Sequence, residues 1–374
     1  MAIETEKKVN DFAHRTSHRN RIFKHLERVE RSWERNEVSS NFPVSLEIQP
    51  TDRCNLSCRF CAYRNLRLNG DLPVQVFSDL VQELVTEQKT RSVVFSGGGE
   101  PSCHPYLPEA IIQLNAGGIE TGILTNGVAM NTRLEEAYQK CRWIRFSLNA
   151  ADETSYRRLN FSPAGTYDRA CRNIEKIADQ RIDGAPTLGI SMIVQDGYDQ
   201  LTYLRNFIGV AHNLGVDYVM FRPLVQTDNF QTATTQGTFI NWTEEIEETA
   251  REKGIAVNYK TFLRERYETA WQVRDYHRCP VVYDSLIGLV TAGGDVFPCV
   301  ALYLTGNGKY SFGNLNGSSF KEVLTGGKRA EAVNNINAVA CPYCRHDHMN
   351  EELLKYMAGE TSEQTCSDPH WKFL

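Results

Sequence analysis

The sequence predicts an α/β fold in which parallel strands alternate with helices, followed by a smaller C-terminal unit. Three observations lead to this prediction. Short apolar or alternating segments recur between residues 43 and 255, and segments of helical periodicity lie between them. The last third of the chain carries a hairpin pattern with a glycine turn among several cysteines. Alternating β-α units imply parallel strands with right-handed crossovers, and ligands bind at the carboxyl ends of such strands.

The bulk composition excludes several classes of protein. The chain has 374 residues, which is enough for two domains, and its formal net charge of −5 argues against a dedicated nucleic-acid binder. It contains no apolar run of about 18 residues and no apolar signal core at its start, so we expect a cytoplasmic protein without a membrane span. Eleven cysteines in a reducing compartment favour metal ligation over disulfides.

Residues 1–42 are predicted to form an N-terminal helical extension. They are highly charged with mixed sign, and apolar side chains recur at helical spacing over residues 18–35. The charges then belong to the solvated face of an amphipathic helix. A peptide-binding winged-helix module would need a longer segment. The apolar stripe consists of Ile22, Phe23, Leu26, Val29 and Trp33.

The first domain, residues 43–255, contains six predicted strands. Helical stripes lie between them, for example around Phe77, Ile174 and Leu204. A helix with Ile246 and Ala250 precedes a strand-like segment, Ile255–Tyr259. The pattern alone does not separate a partial barrel from an open doubly wound sheet. The remainder, residues 256–374, is predicted to be a linker and a second domain. The six strands are expected at 45–49, 92–96, 121–125, 143–148, 188–194 and 217–222.

Three cysteines follow the first predicted strand, and we call residues 54–61 the cysteine loop. Cys54, Cys58 and Cys61 are separated by three and by two residues. Thiolates hold iron–sulfur clusters, which normally take four of them. Three cysteines therefore leave one iron without a protein ligand, and an open position allows a cluster to bind and reduce a substrate. The alternative is a zinc knuckle, but zinc sites usually add histidines or a second cysteine pair, and no histidine lies near this loop.

This spacing resembles that of the radical S-adenosylmethionine (SAM) superfamily, in which the open iron chelates the amino and carboxylate groups of SAM. The segment 96–101, Ser-Gly-Gly-Gly-Glu-Pro, follows the second strand and resembles the superfamily's Gly-Gly-Glu motif, although most glycine-rich turns are only tight turns. The resemblance implies a partial (β/α)6 TIM-like barrel and a SAM-binding [4Fe–4S] cluster. It places Gly98, Gly99 and Glu100 at SAM, and it implies a reductant such as flavodoxin or ferredoxin.

Polar residues at other strand ends are further candidates for cofactor binding. Ser147 and Asn149 end the fourth predicted strand and, pointing the same way, could bond the ribose hydroxyls. Arg222 ends the sixth strand and could pair with a carboxylate of SAM or substrate. Gln195, after the fifth strand, could face the site. Strand-end capping and a surface arginine are the structural alternatives for these residues.

A second set of cysteines lies in the C-terminal part. Cys279 and Cys299 flank residues 285–298, which read as a hairpin with a glycine turn and would bring the two thiols together. Cys341 and Cys344 add a C-x-x-C unit. Four thiolates can close one complete cluster, and a structural zinc site is the alternative.

The second set resembles the auxiliary-cluster domain that follows the barrel in SPASM and twitch radical SAM enzymes. The longer SPASM form continues with two more cysteines, whereas residues 345–350 contain none. The twitch form, with one auxiliary [4Fe–4S] cluster, is therefore the better match. Of the remaining cysteines, Cys141 and Cys171 are expected to be buried apolar residues. Cys103 and Cys366 are candidate donors of a hydrogen atom to a radical, although a plain tail cysteine is the simpler interpretation of Cys366.

The resemblance implies an enzyme that forms a 5′-deoxyadenosyl radical and removes hydrogen from an unactivated C–H bond. A single auxiliary cluster and the lack of a peptide-recognition module favour oxidation or epimerisation of a small polar substrate, such as a sugar, aminocyclitol or nucleoside, in natural-product or cofactor biosynthesis. The alternative is a maturase of a ribosomally made peptide, which a short precursor gene nearby would indicate. A non-catalytic iron–sulfur or zinc protein is a third hypothesis.

Overall fold

The computed structural model describes most of the chain as two compact units, neither of which is continuous in sequence. Unit 1 contains Cys54–Ala62 and the described residues between Ile123 and Thr269. Unit 2 contains the described residues between Ser17 and Arg53, Tyr63–Gly122, and the described residues from Ala270 onward. The described residues are 18–67, 70–194, 200–223, 243–258, 274–306, 308–341, 344 and 346–374.

Unit 2 contains a parallel core of strands to which a hairpin is added. Strand β1 pairs in parallel with both β2 and β8, and Leu46 lies opposite Val93 on one side and Gly288 on the other. All four residues of β1 are buried, as expected of a strand covered on both faces. Strands β8 and β9 form the predicted antiparallel hairpin, and β10 extends it. These strands are β1 (Ser45–Ile48), β2 (Ser92–Phe95), β8 (Ile287–Val290), β9 (Asp295–Phe297) and β10 (Gly313–Asn314).

Unit 1 is built on parallel strands as well. Strands β4, β5, β6 and β7 pair in parallel in that order. Their residues are mainly apolar and buried. For example, Ile190 of β5 is paired with Val219 of β6, and neither has exposed surface. The parallel α/β fold predicted from the sequence is confirmed. The strands are β3 (Glu120–Thr125), whose first residues belong to unit 2, β4 (Trp143–Phe146), β5 (Thr187–Val194), β6 (Tyr218–Pro223) and β7 (Ala256–Asn258).

The helices between the strands bury the apolar stripes that the sequence predicts. In α2, for example, Phe77, Leu80 and Leu84 are all buried. None of the helices within the described ranges has the length and apolar character needed to cross a membrane. The α-helices are α1 (Ser32–Arg35), α2 (Val74–Glu87), α3 (Leu107–Ala116), α4 (Thr132–Tyr138), α5 (Glu153–Asn160), α6 (Thr166–Asp179), α7 (Gln200–Asn213), α8 (Thr243–Lys253), α9 (Pro280–Tyr283), α10 (Val300–Leu304), α11 (Phe320–Thr325), α12 (Gly327–Asn334) and α13 (Asp347–Met357).

The single helix predicted over residues 18–35 is wrong in its continuity. The structure has a kinked 3-10 segment, His18–Arg28, and then the separate helix α1, with Arg31 between them in the left-handed region at φ 57°. A tertiary contact lies at the break. The backbone N–H of Ser32, next to Arg31, donates to the Asp284 Oδ1 at 2.9 Å, so a long-range bond holds the start of α1 where local periodicity predicts a continuous helix.

Candidate functional site

The cysteine loop in unit 1 is held by the end of helix α5. The backbone N–H of Ser57 donates to the Asn160 carbonyl at 3.2 Å, and that of Arg59 donates to the Leu159 carbonyl at 3.0 Å. The Cys58 thiol donates to the Asn160 Oδ1 at 3.1 Å. All three cysteines of the loop remain partly exposed. The loop is therefore shaped mainly through its backbone, and its thiols are not sealed into the core.

The carboxyl end of β3 provides a second support for the loop. Asn126, which follows β3, donates from its Nδ2 to the Asn55 Oδ1 at 2.6 Å. The Asn126 Oδ1 accepts the Val128 N–H at 3.0 Å, which orients the amide. The sequence analysis did not assign this role. Its only signal is a polar residue directly after a buried strand, where parallel sheets bind ligands.

Strand β4 ends at Phe146, two residues earlier than predicted. Asn149 has φ 60°, and its amide accepts the Ile193 N–H at 3.1 Å and donates to the Ser147 carbonyl at 3.1 Å. The strand alternation that was expected to align Ser147 with Asn149 therefore does not extend this far, because a left-handed residue interrupts it. Arg222 lies in β6 and is half-buried. The roles of these three side chains toward a cofactor remain predictions, and Gln195 lies outside the described residues.

The glycine-rich loop after β2 packs backbone to backbone against the chain that precedes Cys54. The Gly99 N–H donates to the Thr51 carbonyl and the Glu100 N–H to the Arg53 carbonyl, both at 2.8 Å. A Cβ on Gly99 would lie 2.0 Å from the Arg53 oxygen, so only glycine fits there. A Cβ on Gly98 would lie 2.2 Å from the Oδ1 of Asp52. Gly99 is thus required for close packing of the two segments, whereas the carboxylate beside Gly98 belongs to a side chain that can move.

Glu100 and His104 fix the end of this loop. The Glu100 side chain is 3% exposed, and its Oε1 accepts from the Ser102 N–H at 3.1 Å and from the Ser102 hydroxyl at 2.8 Å. The His104 Nδ1 accepts the Tyr106 N–H at 3.2 Å, so its Nε2 donates to the Leu72 carbonyl at 2.8 Å. Burial lowers the pKa of His104. Glu100 therefore has a capping role, and its predicted contact with SAM remains a prediction.

The second cysteine set lies within unit 2, where the thiols act on one another electrostatically. Burial raises the pKa of Cys279 to about 12, and Cys299 and Cys341 add to this rise. Burial likewise raises the pKa of Cys341 to about 11. Cys344 keeps partial solvent exposure, yet the protein packed around it raises its pKa well above the usual value. Metal binding requires deprotonated thiolates, and burial disfavours them. The positive charge of a bound metal would therefore have to outweigh the effect of burial on these pKa values.

The sulfurs of Cys279 and Cys344 receive hydrogen bonds from outside the cysteine pattern. The Asn350 Nδ2 lies 3.3 Å from the Cys279 Sγ, and the backbone N–H of His346 donates to the Cys344 Sγ at 3.3 Å. Such donors orient ligating thiolates and tune the group that they hold. Sequence reasoning missed Asn350, because a lone asparagine on a helix that follows a C-x-x-C unit belongs to no motif.

An ion pair lies beside the second set. Arg274 and Asp347 form a bidentate pair with distances of 2.6 and 2.7 Å, and their side chains are 11% and 9% exposed. Burial alone would lower the pKa of Arg274, but the bond to Asp347 outweighs it and raises that pKa. The Arg274 Nη1 also donates to the Cys341 carbonyl at 2.8 Å. The pair therefore anchors the backbone of the C-x-x-C unit.

Both sets of cysteines fit iron–sulfur chemistry by their donor atoms. The first offers three thiols and the second four, with no oxygen ligand required. Within the described ranges, no three His, Cys, Asp or Glu side chains converge as ligands of a single metal ion. A four-iron cluster takes about one thiolate per iron and so spaces its cysteines more widely than one ion does.

The remaining cysteines differ in burial. Cys141 is 3% exposed, which confirms the prediction. Cys171 is partly exposed, contrary to the prediction. The buried face of α6 is formed by Ala170, Ile174 and Ile177, and Cys171 lies at the edge of that face. Burial still raises the pKa of Cys171 to about 11. Cys103 and Cys366 are partly exposed, and their roles as donors of a hydrogen atom remain predictions.

Comparison with known protein families agrees with both cysteine sets. The Radical SAM superfamily matches residues 48–202, and the SPASM iron–sulfur cluster-binding domain matches residues 279–346. The chain is 23% identical over 297 residues to the tungsten-containing aldehyde ferredoxin oxidoreductase cofactor-modifying protein of Pyrococcus furiosus, covering 75% of this chain and 80% of that protein. It is 25% identical over 283 residues to the PqqA peptide cyclase of Streptomyces rochei, covering 70% of each.

The fold has a counterpart among solved structures. Streptococcus suis SuiB bound to the precursor peptide SuiA superposes with a TM-score of 0.61 at 16% identity, covering 84% of this chain and 70% of that chain. A likeness at this identity establishes the fold, and the parallel strands are typical of a radical SAM partial barrel. The chain therefore contains a radical SAM domain, which implies a [4Fe–4S] cluster with SAM, and a C-terminal SPASM/twitch domain, which implies auxiliary iron–sulfur.

Proposed function

We propose that this enzyme is a peptide maturase, which modifies a short ribosomally made peptide at an unactivated C–H bond. The observation that carries the proposal is the similarity to the PqqA peptide cyclase, which extends over 70% of both chains. The sequence alone favoured a small polar substrate instead. That preference rested on one auxiliary cluster and on a missing recognition module, and the relatives support the peptide alternative better.

The roles of the chain's own residues follow from the two sets of cysteines. When bound, the first cluster and SAM supply a radical that takes a hydrogen atom from the substrate. Cys54, Cys58 and Cys61 would hold that cluster and leave one position open for SAM. Gly98 and Gly99 would let the backbone approach SAM closely, and the Glu100 carboxylate would accept from its amino group. These assignments rest on the motif resemblance and on the donor chemistry.

Further residues would complete the site. Ser147, Asn149 and Arg222 would contact the ribose or a carboxylate of SAM or substrate. In the C-terminal region, Cys279, Cys299, Cys341 and Cys344 would ligate the auxiliary cluster completely. With no open iron there, the proposed task of this region is to accept an electron from the substrate or to support the structure.

The experiment uses a candidate precursor peptide encoded by a short reading frame beside the gene. The anaerobically reconstituted protein is incubated with SAM, dithionite and the peptide, and the products are analysed by mass spectrometry. We expect 5′-deoxyadenosine together with a peptide altered at one residue. The variant with Cys54, Cys58 and Cys61 replaced by alanine is the matched control and should leave the peptide unchanged.

A second candidate is modification of a non-peptide cofactor, which the name of the Pyrococcus furiosus relative favours. The same incubation separates the two hypotheses. If the enzyme modifies a small molecule of a cell extract, and every peptide encoded beside the gene stays unaltered, the peptide proposal is wrong and the cofactor hypothesis takes its place.

A further inference from the structure

The side chain of Asn350 makes three hydrogen bonds beside the second cysteine set. It lies in the first turn of α13 and is 1% exposed. Its Oδ1 accepts the Val281 N–H at 3.1 Å. Its Nδ2 lies 3.3 Å from the Cys279 Sγ and 3.2 Å from the Tyr276 hydroxyl oxygen. All of these partners lie in unit 2.

The orientation of the Asn350 amide is determined by its partners. The Val281 N–H can only donate, so it requires the amide oxygen. Val281 lies in the first turn of α9, whose N-cap residue Cys279 makes no side-chain capping bond. Asn350 therefore satisfies one of the N–H groups that every helix start leaves without an intrahelical partner. The NH2 group is consequently directed toward the sulfur.

A donor placed at a cluster sulfur has a predictable electrostatic effect. Hydrogen bonds to the sulfurs help to set the reduction potential of an iron–sulfur cluster, and the effect is larger where water is excluded. Cys279 is buried. Reduction adds negative charge to the cluster and its thiolates, and an N–H group stabilises that charge. The Asp347 carboxylate nearby would act in the opposite sense, but Arg274 pairs with it.

We propose that Asn350 is a positioning residue for the auxiliary cluster, holding the Cys279 sulfur in place and raising the reduction potential. Asn350 lies outside residues 279–346, which the SPASM domain matches, so the domain match does not assign it. The inference rests on Cys279 being a cluster ligand. It does not depend on the substrate or on the reaction catalysed.

The test measures the midpoint potential of the auxiliary cluster by an anaerobic redox titration followed by electron paramagnetic resonance. The parent is the full chain with Cys54, Cys58 and Cys61 replaced by alanine, which should retain about four iron atoms. Asn350→Leu keeps the branching at Cγ but removes both the donor to Cys279 and the acceptor for the Val281 N–H. Tyr276→Phe is the matched control, because it removes the other partner of the same NH2 group and leaves the bond to sulfur.

We expect Asn350→Leu to lower the equilibrium constant for one-electron reduction about tenfold, which corresponds to about 59 mV. Tyr276→Phe should stay close to the parent. A fully loaded Asn350→Leu protein with the parent's potential would overturn the proposal. An equal shift in both variants would also overturn it, because the effect would then belong to the whole network.

A second variant covers the case in which Asn350→Leu does not retain iron. Asn350→Ala removes the amide, and with it the donor to Cys279, without introducing the larger leucine side chain. The same tenfold drop is expected, and the parent's potential would contradict the proposal. Loss of iron from both Asn350 variants but not from Tyr276→Phe supports the positioning role, whereas loss from all three overturns it.

Discussion

The two cysteine sets are held in different ways. The cysteine loop keeps its thiols partly exposed and is shaped by backbone bonds to the end of α5, with Asn160 and Asn126 as side-chain partners. In the second set Cys279 is buried and the other three thiols are partly exposed. Burial raises the pKa of Cys279 and Cys341, and an amide donor at Cys279 and a largely buried ion pair lie alongside. An open cluster needs access for SAM, whereas a closed cluster can be surrounded. The motif describes the first site well and the second only in part.

The largest expected effect tests whether the cysteine loop alone makes SAM reactive. Replacing Cys54, Cys58 and Cys61 by alanine should abolish SAM cleavage and lower the iron content from about eight to about four atoms per chain. The measurements are an iron assay and chromatography of 5′-deoxyadenosine. Cys141→Ala, which removes a buried thiol outside both sets, is the control and should keep all the iron. SAM cleavage by the triple variant would break the comparison.

The next effect separates the task of the second set from that of the first. Cys344→Ala should still move deuterium from labelled substrate into 5′-deoxyadenosine, because the cysteine loop is intact. If the net reaction is an oxidation, this variant should form little oxidised product. Deuterium incorporation and product yield are followed together, with Cys171→Ala as the control. Full product yield from a soluble Cys344→Ala protein that lacks the auxiliary cluster would rule out an electron-accepting role. Circular dichroism identifies the case in which removing a ligand unfolds the domain.

A smaller effect is expected at the glycine-rich loop. Glu100→Ala removes a charged acceptor worth roughly 1.5–3 kcal/mol, so SAM affinity should fall about tenfold to a hundredfold. The iron content should not change. Ser102→Ala is the control, since it loses only a hydrogen bond to the same carboxylate and should bind SAM normally. Isothermal titration with SAM decides the matter, and unchanged affinity in Glu100→Ala would remove this residue from the site.

The smallest effect concerns pH. Burial lowers the pKa of His104 below its ordinary 6.5, so the folded state favours the neutral ring. The stability that His104 contributes is therefore complete above about pH 6.5 and is lost as the pH falls toward the lowered pKa. Urea unfolding at about pH 7.5 and about pH 5.5 should show this loss, and His104→Gln should reduce it. His25, whose pKa is also lowered by burial, accounts for part of the remaining slope. An identical slope in His104→Gln would contradict the assignment.

The strands were predictable because their signal is local. Apolar alternation identifies β5 and β6 within one or two residues of their observed ends. The end of β4 was misplaced because Asn149 adopts a left-handed conformation that its neighbours do not indicate. The break near Arg31 was missed because the neighbouring Ser32 N–H is bonded to Asp284, which lies 252 residues away. Sequence periodicity carries no information about partners that are so distant.

The same distinction applies to the candidate site. Cysteines are rare and their spacing is informative, so the ligands could be proposed from the sequence. The roles of Asn350 and Arg274 could not be predicted from the sequence. Common polar residues acquire such a role only when folding places them beside Cys279 and Cys341. The capping bonds of Glu100 were likewise invisible, since the Gly-Gly-Glu pattern points only to a ligand.

The pairing of β1 with β8 has a consequence for how the chain acquires its structure. One neighbour of β1 follows about 50 residues later, but the other, β8, follows about 240 residues later. At 5–20 residues per second, a ribosome needs roughly 12–50 s to make that intervening chain. Until then one edge of β1 has no partner strand and can pair with another nascent chain. A chain that stops before residue 287 should therefore aggregate, even though it contains every residue of the cysteine loop.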